Sequence, residues 1–180
     1  MHGIYTVNRK DTMSIQHPQQ HILNDKWNLY YHLPLNKNWD LNSYTLIMGD
    51  IDTAENVILL NESMGENIVK NCMLFVMRKG ITPMWEDPTN RCGGCFSYKV
   101  ANKYAGQVWK NLFYMLCGDT LCVNRNHKSH LNGITISPKK NFCIVKIWLD
   151  TIEFQDPNFI VEIPNLLKNG CLFKKHEPEF

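Results

Sequence analysis

Apolar and polar positions along the chain change period several times, and each change marks an element. Lys26 to Tyr31 alternates, with Trp27, Leu29 and Tyr31 set between Lys26 and Asn28, which predicts a strand with one buried face. Tyr44 to Met48 predicts a second strand, ended by Gly49. Asp52-Thr53-Ala54-Glu55 has the spacing of a capping box, so a helix is expected to start there and run to about Met64, with Gly65 placed to stop it. Cys72 to Met77 is a short continuous apolar run, read as a buried strand closed by Arg78-Lys79-Gly80. Gly93-Gly94 leads into a strand from Cys95 to Val100. From Tyr104 to about Cys117 the apolar positions Val108, Trp109, Leu112, Phe113 and Leu116 recur every three or four residues, the clearest helix in the chain, with Lys110, Asn111 and Tyr114 outward. A hairpin follows, Gly133 to Ser137 and Phe142 to Leu149 around Pro138-Lys139-Lys140-Asn141. Asp156 to about Lys168 reads as a short helix interrupted by Pro164. Strands and helices do not alternate one for one, so an α+β fold with a mostly antiparallel sheet fits better than a parallel one.

Composition narrows the class. With 180 residues, 44% hydrophobic and 20% charged, the chain has the size and balance of one globular domain. Residues 1–20 are polar and aperiodic and are expected to form a flexible tail, leaving residues 21–180 as the domain. The longest apolar run is only Cys72 to Met77, so neither a membrane span nor a signal peptide is expected. A net charge of +2 does not suggest a protein gripping a long phosphate backbone. Seven Cys, an odd number without regular spacing, suggest free thiols in a reducing, cytoplasmic compartment.

Two tryptophans stand out. Trp39 and Trp85 each sit among turn residues, in Asn36-Lys37-Asn38-Trp39-Asp40 and Pro83-Met84-Trp85-Glu86-Asp87-Pro88. They are either anchors folding a loop back onto the domain or a stacking platform. Two facing indoles sandwich a flat ring, at about 1–3 kcal/mol per stacked base, and attract it further if it is cationic. The Glu86 carboxylate beside Trp85 can accept two parallel hydrogen bonds, as the N1 and N2 edge of guanine offers. Two Trp and a neighbouring carboxylate are what a 7-methylguanine reader needs.

These residues carry a resemblance. Thr82-Pro83-Met84-Trp85-Glu86-Asp87, followed by Asn90 and Gly93-Gly94, resembles the signature of the eukaryotic translation initiation factor 4E family, the mRNA cap-binding proteins. The likeness extends over His21 to Tyr31 around Trp27, Asn38-Trp39, Asp52-Thr53-Ala54-Glu55, Val108-Trp109 through Leu116-Cys117-Gly118, and Lys146-Ile147-Trp148. All five Trp fall on family positions in order, from residue 21 to about 150; beyond residue 155 the likeness weakens. The resemblance implies a curved, mostly antiparallel sheet backed by helices on its convex face, with a cap slot on the concave face. Trp39 and Trp85 would sandwich the methylated guanine, Glu86 would hold its edge, the Trp85 amide its O6, and Trp148 would touch the N7-methyl group. Trp27 and Trp109 would be structural. The implied function is non-enzymatic and cofactor-free: binding capped mRNA in translation initiation.

The chain departs from that pattern in two places. The family's two Arg and one Lys on the cap phosphates correspond to Cys95, Lys139 and Ile144. Strand alternation puts Ile144, Lys146 and Trp148 on one face, so Lys146 can serve from one step nearer the indole. Lys140 and Arg91 are further phosphate candidates, with Arg125 and Lys128 weaker. On the partner face, the family's Trp, Leu, Glu and Leu are replaced by Ile58, Lys110, Asn111 and Tyr114, so the indole and the acid are missing. That suits a divergent partner in place of the usual initiation factor 4G-type scaffold, and a viral or paralogous family member.

Other chemistries were weighed. Cys92-Gly93-Gly94-Cys95 has C-x2-C spacing, and Cys117, Cys122, His127 and His130 add zinc-type donors, but Cys117 lies on the buried helix stripe. A redox C-x-x-C needs a following helix N-terminus, where a strand is expected here. No Ser/Cys–His–Asp motif or phosphate-cradling loop is present. The alternatives to an initiation factor are therefore a cap-sequestering competitor that recruits no scaffold, or a small zinc or thiol-redox module.

Overall fold

The computed structural model describes residues 20–177; the tail expected over residues 1–20 lies, save for its last residue, outside them. Among the described residues seven strands form one antiparallel sheet: β1 (Ile22–His32), β2 (Thr45–Thr53), β3 (Met73–Arg78), β4 (Gly94–Ala101), β5 (Leu131–Pro138), β6 (Phe142–Leu149) and β7 (Leu172–Lys175). Their order is β2-β1-β3-β5-β6-β4-β7. Three helices, α1 (Ala54–Ser63), α2 (Glu66–Asn71) and α3 (Ala105–Cys117), pack together, with α3 against β1 and β5. The curved sheet with helices on one side is the α+β architecture expected.

Strand alternation divides the sheet into two faces. Trp27 and Leu29 of β1, Leu74 and Val76 of β3, Phe96 and Tyr98 of β4, Ile134 and Ile136 of β5, and Val145 and Ile147 of β6 join the main core under the helices. The stripe of α3 closes it: Val108, Trp109, Leu112, Phe113 and Leu116 are all buried. Trp27 and Trp109 are each only 1% exposed, as structural indoles should be. The other face carries a smaller cluster, Phe75, Met77, Ile81 and Trp148, with Tyr30, Tyr44 and Met73 packed against it.

Several elements differ from the sequence expectation. Gly49 does not end β2: the strand continues through it, with Asp50 at φ 53° and the Asp50 amide donating to Asn28 Oδ1 at 3.0 Å. The residue marks an irregular register against β1, not a terminus. Thr53 caps α1, its hydroxyl accepting from the Asn56 amide at 3.2 Å, whereas the Glu55 carboxylate turns to the His21 amide and imidazole. α2 is six residues long, too short for periodicity to reveal. The helix expected over Asp156–Lys168 is a single 3-10 turn, Pro157–Phe159, capped by Asp156. Beyond it Ile160, Ile163 and Leu166 sink into the core one at a time from irregular backbone, and Asn165 takes φ 67°. β7 was not expected at all; it is a four-residue edge strand on β4.

The glycine pair before β4 is a matter of space. A Cβ on Gly93 would lie 1.9 Å from the Leu149 carbonyl oxygen, and one on Gly94 2.6 Å from the Phe173 ring and 2.7 Å from the Lys174 carbonyl oxygen. Both glycines let the strand entry press against β6 and β7. Gly94→Ala is expected to destabilise the fold by about 1–3 kcal/mol through overpacking. Urea unfolding measures it; a midpoint equal to that of the parent would contradict the packing described.

Candidate functional site

The polar-side face of the sheet opens into a cleft of about 450 Å³ bounded by two loops. The first connects β1 to β2 and carries Trp39. Asn38 shapes it: its amide accepts from the Asp40 N–H at 3.1 Å and donates to the Asp40 carboxylate at 2.9 Å. Trp39 is 49% exposed, an open indole. Behind it the His32 ring lies flat, centroids 4.2 Å apart.

The second loop, residues 79–93, carries Trp85 and Glu86. Two buried polar side chains hold it. Asp87 accepts from the Thr82 amide at 2.7 Å, the Thr82 hydroxyl at 2.8 Å and the Thr89 amide at 2.9 Å. Asn90, wholly buried, donates to the Thr82 and Met84 carbonyls at 3.0 and 2.7 Å and accepts from Asn132 at 2.8 Å. The Thr82, Asp87 and Asn90 positions of the motif therefore build the loop that presents Trp85. Trp85 is 39% exposed.

Trp39, Trp85, Glu86, Lys146 and Trp148 all line this one cleft, together with Tyr44, Met73, Phe75, Thr135 and Glu177. Trp148 forms part of the floor, its Nε1–H donating to Thr135 Oγ1 at 2.8 Å. The two loops face each other closely enough to interact: burial, with the nearby Glu86 charge, pushes the Tyr44 phenol up to about 12. Lys146 is half-buried, its ammonium 5.0 Å from the Trp85 ring centroid and 5.9 Å from that of Trp148. Burial lowers its pKa, and Lys174 and Lys139 add like-charge repulsion. Among the described residues it forms no ion pair with a carboxylate. The cleft therefore presents aromatic faces, an acid and an unneutralised cation to whatever enters it.

The other expected cations stand elsewhere. Lys139 and Lys140 occupy the exposed β5–β6 turn and Arg91 the loop before β4, all outside the cleft lining. Lys128 is ion-paired with Asp119, and Arg125 opens the same 3-10 segment before β5. Lys174, missed in the sequence, lies opposite Cys95 on β7 and raises the positive field beside Lys146. Alternation would have revealed it had β7 been recognised as a strand.

On the helical face Ile58 is 53% exposed. Lys110 and Tyr114 both donate to Glu62 of α1, at 3.0 and 3.1 Å, and Asn111 accepts from Gln107 at 2.9 Å. This corrects the expectation that the acid is gone. The Lys110 and Tyr114 hydrogen bonds hold the Glu62 carboxyl below its usual range, so the surface keeps an anion, supplied by α1 instead of α3.

Cys92 is exposed and Cys95 buried, and no disulfide joins them. Burial raises the Cys95 thiol pKa, the reverse of what a redox thiol needs. Among the described residues no three or more His, Cys, Asp or Glu side chains gather as a metal site.

The chain is thus a helix-backed antiparallel sheet with a cleft walled by two indoles. The sequence matches the model of the eukaryotic initiation factor 4E family over residues 22–177, and the chain belongs to that family. It is 41% identical over 63 residues to the eukaryotic translation initiation factor 4E homolog of Acanthamoeba polyphaga mimivirus; that alignment covers 35% of this chain and 23% of the relative. The chain thus aligns with under a quarter of the length of that relative. Its fold is similar to C. elegans eIF4E-3 in complex with the 4E-binding protein Mextli and a cap analog, with a TM-score of 0.65 and 21% identity, covering 74% of this chain and 76% of that one. It is also similar to Ascaris suum eIF4E-3 in complex with an m2,2,7G cap, with a TM-score of 0.64 and 21% identity, covering 75% and 77%.

Removing the Asn90 side chain leaves two carbonyls and Asn132 without their partner in a buried place. Asn90→Ala is expected to cost about 2–4 kcal/mol, since each orphaned buried group carries its own desolvation penalty. Denaturant unfolding followed by Trp emission reads it; a loss under about 0.5 kcal/mol, the size of an ordinary surface change, would show that Asn90 does not hold the loop.

Proposed function

We propose that this protein binds the 7-methylguanosine cap of mRNA in the cleft and acts in translation initiation. The observation that carries the reading is the convergence of Trp39, Trp85, Glu86 and Trp148, from three separate segments, on one cleft. A methylated guanine is flat and cationic, so it gains both stacking and attraction to the indole faces. Glu86 accepts from the N1 and N2 edge. Trp148, held by Thr135, lies against the methyl group. Lys146 already uses the cation affinity of Trp85; on its flexible stem it yields that face to the base and turns to the phosphates. Lys139, whose charge reaches Lys146, adds to the positive field, with Lys140 and Arg91 as further candidates outside the cleft lining.

The family are binding proteins, and the action proposed here is binding without a reaction. The solved relative is in complex with a 4E-binding protein; the partner proposed for this chain is a divergent scaffold of the initiation factor 4G type, meeting Ile58, Lys110, Asn111 and Tyr114 on the helical face. Among the described residues no helix is long and apolar enough to cross a membrane, and the proposed setting is the cytoplasm.

Retention on immobilised 7-methyl-GTP, eluted by 7-methyl-GTP and not by GTP, tests the reading; failure to be retained would overturn it. Trp39→Ala and Trp85→Ala are each expected to weaken cap binding by about 1–3 kcal/mol, the worth of one stacking face. Lys146→Ala is expected to weaken 7-methyl-GTP while leaving 7-methylguanosine unchanged or tighter, because it removes a phosphate partner and frees the Trp85 face. Fluorescence titration of the two ligands distinguishes these outcomes, and equal losses for both would remove Lys146 from the phosphates.

A further inference from the structure

Each indole that walls the cleft has a buried imidazole packed against it. The His32 ring is stacked on Trp39 at 4.2 Å with the planes 3° apart, and is 0% exposed. The His176 ring lies 5.9 Å from Trp85 at 14° and 4.8 Å from Trp148 at 51°, and is 6% exposed. Each ring is tied to the loop whose indole it supports. His32 Nε2 lies 2.9 Å from the Asn38 carbonyl oxygen, one residue before Trp39. His176 Nδ1 lies 2.7 Å from the Asn90 carbonyl oxygen, in the Trp85 loop. A carbonyl oxygen only accepts, so each of these nitrogens carries a proton and donates. The second nitrogen of each ring, His32 Nδ1 and His176 Nε2, is buried and has no hydrogen-bond partner among the described residues.

At His176 this arrangement suits the neutral ring. A second proton would place a buried donor and a positive charge where no acceptor waits. The charged neighbours make it worse at His176, which faces the Lys146 ammonium from β6. Around His32 the titratable neighbour is the Tyr44 phenol, 5.1 Å away, with Glu86 acting on that phenol from the opposite loop. With one face covered by His32, Trp39 has a single face left for a ligand. An imidazolium behind an indole would also draw on the same ring quadrupole that attracts a cationic base in front.

We propose that His32 and His176 are positioning residues of the cleft: their imidazoles brace Trp39 and Trp85 from behind, and protonation of His176 loosens the grip on a cationic base. The inference rests on the cap-base reading above. Burial holds the His176 pKa below the ordinary 6.5, with the Asn90 bond opposing and Lys146 assisting. The sign follows. The neutral ring contributes folding stability that is full above 6.5 and is lost as pH falls from 6.5 towards the depressed value, whereas the folded ring itself takes up a proton, and the bracing is lost, only as pH falls through that depressed value. A bound cation in front of Trp85 depresses the value further, so affinity falls with acidification once pH passes below the value of the free protein.

Full-length variants His32→Ala, His32→Phe and His176→Phe are titrated with 7-methyl-GTP between pH 5 and 7.5. His32→Ala is expected to lose about three- to tenfold in affinity, the worth of one aromatic pair, and His32→Phe, which keeps a flat ring, to recover most of it. The ratio of His176→Phe to wild-type affinity cancels titration of the ligand, and is expected to rise as pH falls through the depressed His176 value. A ratio constant across the range, or a His32→Ala variant that binds as the wild type does, would overturn the proposal. Imidazole NMR of the wild type provides a second reading that needs no variant: 7-methyl-GTP should push the His176 titration to lower pH, and an unmoved titration would overturn the bracing role. Wild-type protein that ignores 7-methyl-GTP at pH 7.5 would instead overturn the cap reading itself, and this proposal with it.

Discussion

The cleft depends on one buried amide. Asn90 sits where three parts of the chain meet: its own loop, β5 through Asn132, and the segment after β7 through the His176 imidazole on its carbonyl. The Asn90 side chain donates to two carbonyls of the Trp85 loop, which would otherwise be unpaired in the interior. A loop of fifteen or so residues without regular structure pays a large ordering entropy, and local contacts within it would not fix one indole plane. Anchoring the loop to a sheet strand and to the terminal segment converts it into part of the scaffold. The strand pairing of β7 with β4 matters for the same reason, since it delivers His176 beneath Trp85.

Much of this was legible in the chain. The alternation around Trp27 and the three- and four-residue spacing of α3 located the core, because burial of one face imposes a period. The placement of Trp39 and Trp85 among turn residues separated them from the core indoles before any fold was known. What escaped has equally physical reasons. α2 and β7 are too short to display a period. Gly49 permits a bulge as readily as a turn, and only the pairing of β1 with β2 decides between them. The segment after Asp156 buries single apolar side chains from irregular backbone, so its hydrophobicity mimics a helix without forming one. His32 and His176 carried no signal, because an imidazole behind an indole is a tertiary contact spanning seven residues in one case and ninety-one in the other.

The helical face shows how a surface can keep its chemistry after losing its residues. With Lys110 and Asn111 on α3, that helix no longer offers an acid. Glu62 reaches across from α1 and is fixed by Lys110 and Tyr114. The anion, the phenol and the exposed Ile58 still lie on one surface, though the anion now sits in a pre-formed pair. A partner would have to displace or join that pair, which changes which peptides fit without removing the site.

The two ends of the cleft obey different rules, and this explains why one resembles the family and the other does not. Stacking is directional. An indole displaced by an ångström or tilted by tens of degrees loses contact with a flat ring, so Trp39 and Trp85 need their loops, their buried anchors and their bracing imidazoles. Charge attraction to phosphate is weakly directional and falls off slowly over several ångströms in a partly buried cleft. A cation can therefore move by a strand position and still act on the same anion. Cys95 and Ile144 stand where charges would be expected, while Lys146 and Lys174 keep positive charge on the same face, one step along β6 and one strand across. Burial is the main reason the Lys146 pKa lies low, and the like charge of Lys174 adds to it; an anion entering the cleft relieves that repulsion. In the proposed reading the position of the base is thus set by rigid geometry, and the hold on the phosphates by the sum of a field that several arrangements of lysine can supply.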